Sequence, residues 1–227
     1  MLESLFSVCK EHFFPLIITF IIAYLIGGIN SSLVVTKLLK TKEDIRNLGS
    51  GNAGFTNALR TMGKKIAILT FIGDFAKGVL AVWLGMKIAS WCSASQDYLI
   101  FAHSSALMCV VGHIYPCFFG FRGGKGILTA WATSLLIDWR IFLILISVFL
   151  IVFIFSKIIS LASIFAAFAY PTSLFFISKF DSKNIFEILF PMICVLIMAS
   201  LVIFKHRSNI SRILNGTEKK ISINKVS

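Results

Sequence analysis

The sequence predicts an all-α, polytopic integral membrane helix bundle, and three observations carry that prediction. Hydrophobic residues make up 57% of the 227 and charged residues only 14%, far more apolar surface than a soluble core of this length requires. Mean hydropathy is +0.89. The apolar residues gather into runs close to the ~20 residues that a hydrocarbon core about 30 Å thick demands of one helix.

The runs fall near 13–29, 66–89, 98–120, 126–137, 141–156, 158–179 and 185–204, about seven transmembrane helices. The first reads as a retained anchor. The stretch MLESLFSVCKEH before it carries Glu3 and Glu11, lacks a basic n-region, and leads to no small-residue cleavage site. The fourth run is short. It is either a half-span or continuous with the fifth, since only Asp138, Trp139 and Arg140 interrupt them. Seven spans put the two ends on opposite sides. With the C-terminus inside, Lys37, Lys40, Lys42, Arg46, Arg60, Lys64, Lys65, Arg122, Lys125, Lys157 and the basic residues from Lys205 to Lys225 lie inside. The outside keeps Lys10, Lys87, Arg140, Lys179 and Lys183. This asymmetry predicts the N-terminus out and the C-terminus in. Residues 1–227 form one membrane-embedded domain whose polar segments 30–65, 120–126 and 205–227 share the cytoplasmic face. The tail after Glu218 is polar and expected to fray.

A net charge of +12 on a soluble chain would suggest nucleic acid. Here the basic residues are distributed by topology and line no aromatic groove, so nucleic acid is not an expected partner. Anionic membrane lipid and an anionic substrate remain. Cys9, Cys92, Cys109, Cys117 and Cys194 are scattered, without a CxxC, and read as small core residues. No metal site is expected.

Three polar clusters reach the inner face. In DIRNLGSGNAGFTNALRTMGKK, residues 44–65, Gly49, Gly51 and Gly54 alternate with Ser50, Asn52, Thr56 and Asn57. Glycines let backbone N–H groups turn toward an anion. Ser50, Asn52 or Thr56 would cap a helix starting near Ala58, and Arg46 and Arg60 offer phosphate forks. In GHIYPCFFGFRGGKG, residues 112–126, Gly123, Gly124 and Gly126 surround Lys125. The spacing fails as a Walker A loop, because three residues separate Gly120 from Gly124 and Gly126 follows the lysine, so a nucleotide is not indicated. His113 is either a hydrogen-bonded structural residue or a base. In KHRSNISRILNGTE, residues 205–218, a helix would put His206, Asn209 and Arg212 on one face, with Ile210, Ile213 and Leu214 adjoining. A basic surface helix bound to lipid explains this cluster equally well. Asp74 and Lys77, inside the second run, are three apart and can pair. One anion-binding site accounts for all three clusters together.

These residues resemble one family closely, the bacterial acyl-phosphate:glycerol-3-phosphate acyltransferases of the PlsY type, over nearly the whole chain. GSGNAGFTN at 49–57 is similar to the family's GSGNxGATN, GHIYPCFFGFRGGKG to its GHxxPxFxxFxGGKG, and KHRSNISRILNGTE to its HRxNIxRLxxGxE, in the same order. The resemblance implies a seven-helix fold in the bacterial inner membrane. It implies acyl transfer from a long-chain acyl phosphate to the 1-hydroxyl of glycerol 3-phosphate, giving lysophosphatidic acid for phospholipid synthesis. No cofactor, acyl-CoA, acyl-carrier protein or metal is implied, and no partner protein is indicated. Carried over by position, Ser50 and Arg46 match the first motif's functional pair, and Gly123, Gly124, Lys125 and Gly126 the phosphate loop. His206 and Asn209 match the activity-linked pair, and Glu218 a structural glutamate. Asn52, Asn57, Arg60 and Arg207 join the substrate-phosphate set, with His113, Asp74 and Lys77 behind them. Two positions depart: Phe55 stands where the family usually has Ala, and GGINSS at 27–32 puts Asn30 where Pro is common, with Ser31 and Ser32 offering polar substitutes.

No Ser-His-Asp or Cys-His arrangement is evident, and the HxxxxD signature of other acyltransferases is absent, since Phe118 follows His113 five residues on. His206 is the best side-chain base, and the acyl phosphate's own phosphate is an equal alternative. A transporter of a phosphate ester and a lipid-binding scaffold are the competing readings; the former lacks an inverted repeat.

Overall fold

The computed structural model describes residues 11–39, 41, 43–92, 94, 97–183 and 185–220. Cys9, Lys10, Lys40, Lys42, Lys225, Glu3 and the end of the tail lie outside them. In chain order the helices are α1 (Phe13–Gly28), α2 (Ser31–Leu38), α3 (Phe55–Thr61), α4 (Lys64–Trp91), α5 (Tyr98–Ile114), α6 (Ile127–Ile137), α7 (Trp139–Ser156), α8 (Ile159–Phe180), α9 (Ile185–Lys205) and α10 (Arg207–Leu214). Among the described residues there are no strands.

Five helices are long and apolar enough to cross a membrane: α4, α5 with the turn that extends it to Phe119, α7, α8 and α9. α1 and α2 form a pair bent by 48°. α6, with 11 residues, reaches about 16 Å at 1.5 Å per residue, half a bilayer core. It does not merge with α7. Asp138 breaks the chain between them and caps α7 by accepting from the Arg140 N–H at 2.9 Å. The first apolar run is likewise broken, at Ile29, and restarted by Asn30. The Asn30 side chain accepts from the Leu33 N–H at 3.2 Å and caps α2.

The centre of the bundle is built from small residues and a few large ones. Val82 of α4, Ala102, Ala106 and Val110 of α5, Ala130 of α6, Ile141 and Leu145 of α7, Tyr170 and Leu174 of α8, and Val195 and Met198 of α9 pack as one cluster. The periphery is large and apolar, as lipid contact requires: Phe14 is 75% exposed, Phe155 85% and Phe176 70%. Lipid is as apolar as leucine, so the helices associate by close packing rather than by burying hydrophobic surface. Small residues make that possible. A Cβ on Gly27 would overlap the Cys109 backbone of α5, and one on Gly112 would overlap the Tyr24 carbonyl of α1. Cys109 and Cys194 are buried, and Cys92, Cys109, Cys117 and Cys194 are all free.

α1 and α5 are therefore locked at their glycines. Gly112→Ala is expected to cost about 1–3 kcal/mol, the usual range for forced overpacking, read as a lower thermal midpoint in detergent. An unchanged midpoint would mean that the helices separate without penalty.

Candidate active site

The three polar clusters converge on one cavity of about 180 Å³. Its polar lining is Ser50, Asn52, Asn57, Arg60, Asp74, His113, Lys125, His206, Asn209 and Glu218. Its apolar lining is Phe55, Phe71, Ile127, Leu128, Trp131, Phe149 and Ile159.

The first wall is the turn before α3. Gly49 and Gly51 have φ of +57° and +69°, the left-handed region that glycine enters without strain. Asn57, 1% exposed, ties this turn down. Its Oδ1 accepts from the Ser50 N–H at 3.0 Å, and its Nδ2 donates to the Ile45 and Leu48 carbonyls at 3.1 and 2.9 Å. The Asn57 amide is thus spent on backbone rather than held for phosphate. α3 begins at Phe55, three residues before the expected start, and its cap is Gly54, with no side-chain capping bond. Ser50, Asn52 and Thr56 are left uncommitted to capping. Ser50 and Asn52 face the cavity. So does Arg60, an exposed cation with no partner among the described residues.

The second wall is the glycine loop, whose glycines serve two purposes. Gly126 has φ of +87° at the start of α6. Gly123 and Gly124 have no such torsion; they are pressed onto the end of α5. A Cβ on Gly123 would stand 2.7 Å from Pro116 Cδ, and one on Gly124 would enter the His113 ring. The Gly124 N–H donates to the His113 carbonyl at 3.1 Å. Gly123 and Gly124 therefore support Lys125 from behind and do not line the cavity.

Lys125 is where the loop meets the third cluster. Its ammonium donates to Asn209 Oδ1. Asn209 Nδ2 donates to Glu218 Oε1 at 2.7 Å, which also accepts from Ser160 Oγ at 2.9 Å, while Arg212 Nε donates to Oε2 at 2.6 Å. A carboxylate only accepts and an ammonium only donates, so the Asn209 amide has one possible orientation. Burial pushes Lys125 down to about 8 despite the Glu218 charge. For Glu218, burial acts to raise the carboxyl, but the bonds from Asn209, Arg212 and Ser160 outweigh it and hold it below the usual range.

His206 ends α9 and is 2% exposed. Its Nδ1 lies 2.7 Å from the Val202 carbonyl, which fixes the proton there and leaves Nε2 as an acceptor. Burial, then the Lys125 charge, pushes it down to about 4, so the ring is neutral at ordinary pH.

In the cavity wall, Asp74 pairs with Lys77 behind it at 2.8 Å, and the two are 3% and 6% exposed. Lys77 also donates to the Ile29 carbonyl at 2.8 Å, and Ser31 Oγ donates to Asp74 at 2.8 Å. His113 Nδ1 stands 3.6 Å from the same carboxylate. Asn30 donates to the Ala53 carbonyl at 3.4 Å, joining the helix break to the first wall. Phe55 lies edge-on to Phe71 at 5.7 Å, and Trp131 to Phe149 at 4.8 Å, two aromatic pairs in the cavity lining.

Two expected phosphate ligands stand elsewhere. Arg46 forks onto Asp44, with Nη2 at 2.6 Å, and donates to the Phe119 carbonyl at 3.3 Å. Arg207 lies over the Phe204 ring at 4.6 Å. Neither lines the cavity. Ser160 is the participant that sequence reasoning missed. Its one signal is the Ser160/Ser163 pair, three apart at the start of an apolar helix.

This is the equipment of a membrane-embedded enzyme for a phosphate-bearing substrate: a half-buried lysine, an unpaired arginine and a neutral imidazole in one cavity with large apolar side chains. Comparison with known proteins gives the family. Residues 17–216 match the family described as glycerol-3-phosphate acyltransferase. Proteins of that name in Syntrophomonas wolfei and Finegoldia magna are 39% and 40% identical, over 89% and 92% of this chain and 95% and 98% of theirs. A crystal structure of PlsY, an integral membrane glycerol 3-phosphate acyltransferase, in its glycerol 3-phosphate form superposes with a TM-score of 0.80 at 34% identity, covering 93% of this chain and 98% of that one. Its lysophosphatidic acid form gives 0.78 at 32%, covering 93% and 97%. The chain belongs to the glycerol-3-phosphate acyltransferase family.

Glu218 should behave as the joint between α10, α8 and Lys125. Glu218→Gln turns an amide N–H₂ toward donors and is expected to cost about 1–3 kcal/mol. Because the folded carboxyl sits low, its contribution is present above its unfolded value, about 4.3, and lost as pH falls through the folded one. Thermal midpoints measured from pH 6 to pH 3 should therefore fall further in the wild type than in Glu218→Gln.

Proposed function

We propose that this protein transfers a fatty acyl group from a long-chain acyl phosphate to the 1-hydroxyl of glycerol 3-phosphate, releasing lysophosphatidic acid and inorganic phosphate. The observation that carries the reading is one cavity lined both by cationic, hydrogen-bonding side chains and by large apolar ones. Such a cavity suits a reaction that joins a phosphate-bearing polyol to a hydrocarbon chain. The site is assigned to the cytoplasmic face of the bacterial inner membrane, with the N-terminus out and the C-terminus in, on the strength of the lysine and arginine distribution.

Lys125 and Arg60 neutralise the phosphates, and Ser50 and Asn52 supply hydrogen bonds beside them. The acyl chain lies between the Phe55–Phe71 and Trp131–Phe149 pairs. Holding both substrates in register supplies much of the rate, and the fixed cations stabilise charge that builds as the phosphate leaves. The hydroxyl oxygen attacks the acyl carbon and the bond from that carbon to the phosphate oxygen breaks. His206 Nε2 accepts the hydroxyl's hydrogen bond and orients it. An imidazole pushed down to about 4 is a poor proton sink at neutral pH, whereas the phosphate oxygen freed from the acyl carbon gains a full negative charge and is far more basic. The departing phosphate therefore takes the proton.

Purified protein in detergent or lipid mesophase, given palmitoyl phosphate and glycerol 3-phosphate, should release phosphate and lysophosphatidic acid, and Lys125→Ala should abolish both. A folded wild type that turns over neither acyl phosphate nor acyl-CoA would overturn the assignment. His206→Ala should lower kcat by about 10²-fold or less, the loss of an orienting bond rather than of a general base worth 10²–10⁴. The Lys125 charge is present below about pH 8 and lost as pH rises through it. Accordingly, kcat/KM for glycerol 3-phosphate should fall about tenfold from pH 7 to pH 9 in the wild type and stay flat in Lys125→Arg.

A further inference from the structure

The proposed reaction uses one hydroxyl of glycerol 3-phosphate and leaves a second, on the central carbon, without an assigned contact. The cavity offers donors in plenty for phosphate: Lys125, Arg60, Ser50 and Asn52. A hydroxyl, however, must also donate, and acceptors that are charged or free of a partner are few there. Asn209 Oδ1 is taken by Lys125, and both Glu218 oxygens are taken by Ser160, Asn209 and Arg212. His206 Nε2 is committed to the reacting hydroxyl.

Asn52 Oδ1 and the Ser50 and Thr56 hydroxyls remain as neutral acceptors, and the remaining charged one is Asp74, which lines the cavity although it is 3% exposed. Its neighbours crowd one oxygen. Ser31 Oγ and Lys77 Nζ each approach Oδ1 at 2.8 Å, and His113 Nδ1 is closest to the same atom at 3.6 Å. Oδ2 has no hydrogen bond of its own among the described residues, yet it is not one of the sealed, unsatisfied buried atoms. Two groups thus hold the carboxylate by one oxygen, with the His113 ring beside it, and leave the other oxygen without a partner among the described residues.

We propose that Asp74 Oδ2 accepts a hydrogen bond from the 2-hydroxyl of glycerol 3-phosphate, making Asp74 a substrate-recognition residue that selects a vicinal diol phosphate over a simple alcohol phosphate. The proposal rests on the reaction assigned above. Lys77 holds the charge balance, and Ser31 keeps the carboxylate from rotating; both act as positioning residues. A site built to bond a hydroxyl discriminates strongly against the analogue that lacks it, because its own polar group is left unpaired.

The test compares glycerol 3-phosphate with 3-hydroxypropyl phosphate, which keeps the reacting hydroxyl and the phosphate and lacks only the 2-hydroxyl. With palmitoyl phosphate saturating, the wild type should show a kcat/KM ratio of about ten or more in favour of glycerol 3-phosphate, the scale of a hydrogen bond to a charged group. In Asp74→Leu/Lys77→Met, which removes both partners of the buried pair together, the ratio should fall to within about twofold of one. A wild-type ratio near one, or a ratio the double variant leaves intact, overturns the proposal. A wild type inactive on both acceptors would instead overturn the assigned reaction. A second probe needs no variant. Serinol phosphate puts an ammonium at the central carbon, and opposite a carboxylate it should inhibit with a Ki no higher than the KM for glycerol 3-phosphate. Inhibition tenfold weaker would place no carboxylate there and would sink the idea even if the double variant fails to fold.

Discussion

Lys125 holds its ammonium half-buried at the end of a glycine loop, and much of the surrounding structure makes that position tenable. A cation in a low-dielectric setting needs hydrogen-bond acceptors and a compensating charge nearby. Asn209 supplies the acceptor and Glu218 the charge, one step removed. Glu218 in turn draws in Ser160 from α8 and Arg212 from α10. The last motif of the chain is thereby fastened to the middle one, and the amphipathic α10 becomes a wall of the cavity rather than a free surface helix.

Close approach of backbone is the other half of the construction. Gly123 and Gly124 lie flat on the end of α5, and His113 fills the space that a Cβ on Gly124 would need. His113 also reaches toward Asp74, whose partners come from α4 and from the break between α1 and α2. Asn30 completes the connection by bonding to Ala53. The two loops at the cavity are therefore braced through a single buried polar group of residues.

Much of this was legible in the sequence, and the exceptions have definite causes. Apolar runs of bilayer length gave the helices, and glycine and basic clusters gave the walls of the site. The segment after Ile29 reads as polar, and only the Asn30 cap shows that it restarts as a helix over Ser31–Leu38. α3 starts three residues before the expected position because Gly54 begins it without any side-chain cap. Arg46 and Arg207 looked available for phosphate. Each is occupied by a near neighbour, Asp44 two residues back and the Phe204 ring three back. Ser160 was invisible for the opposite reason. A serine in an apolar helix usually bonds to its own preceding turn, as Ser163 does to the Ile159 carbonyl. Nothing local says that Ser160 will instead meet a carboxylate 58 residues further on.

Phe71 lines the cavity and is also 40% exposed on the lipid-facing side of the bundle. The chamber consequently borders two media at once. A hydrocarbon chain can slide in sideways by diffusion in the plane of the sheet, while a small polar molecule arrives from solution. Joining the two creates an amphiphile whose resting place is the bilayer itself, so partition alone carries it away from the water-side entrance. Turnover in such an arrangement depends on the surface concentration of one reactant and the bulk concentration of the other, and the composition of the surrounding lipid becomes a kinetic variable.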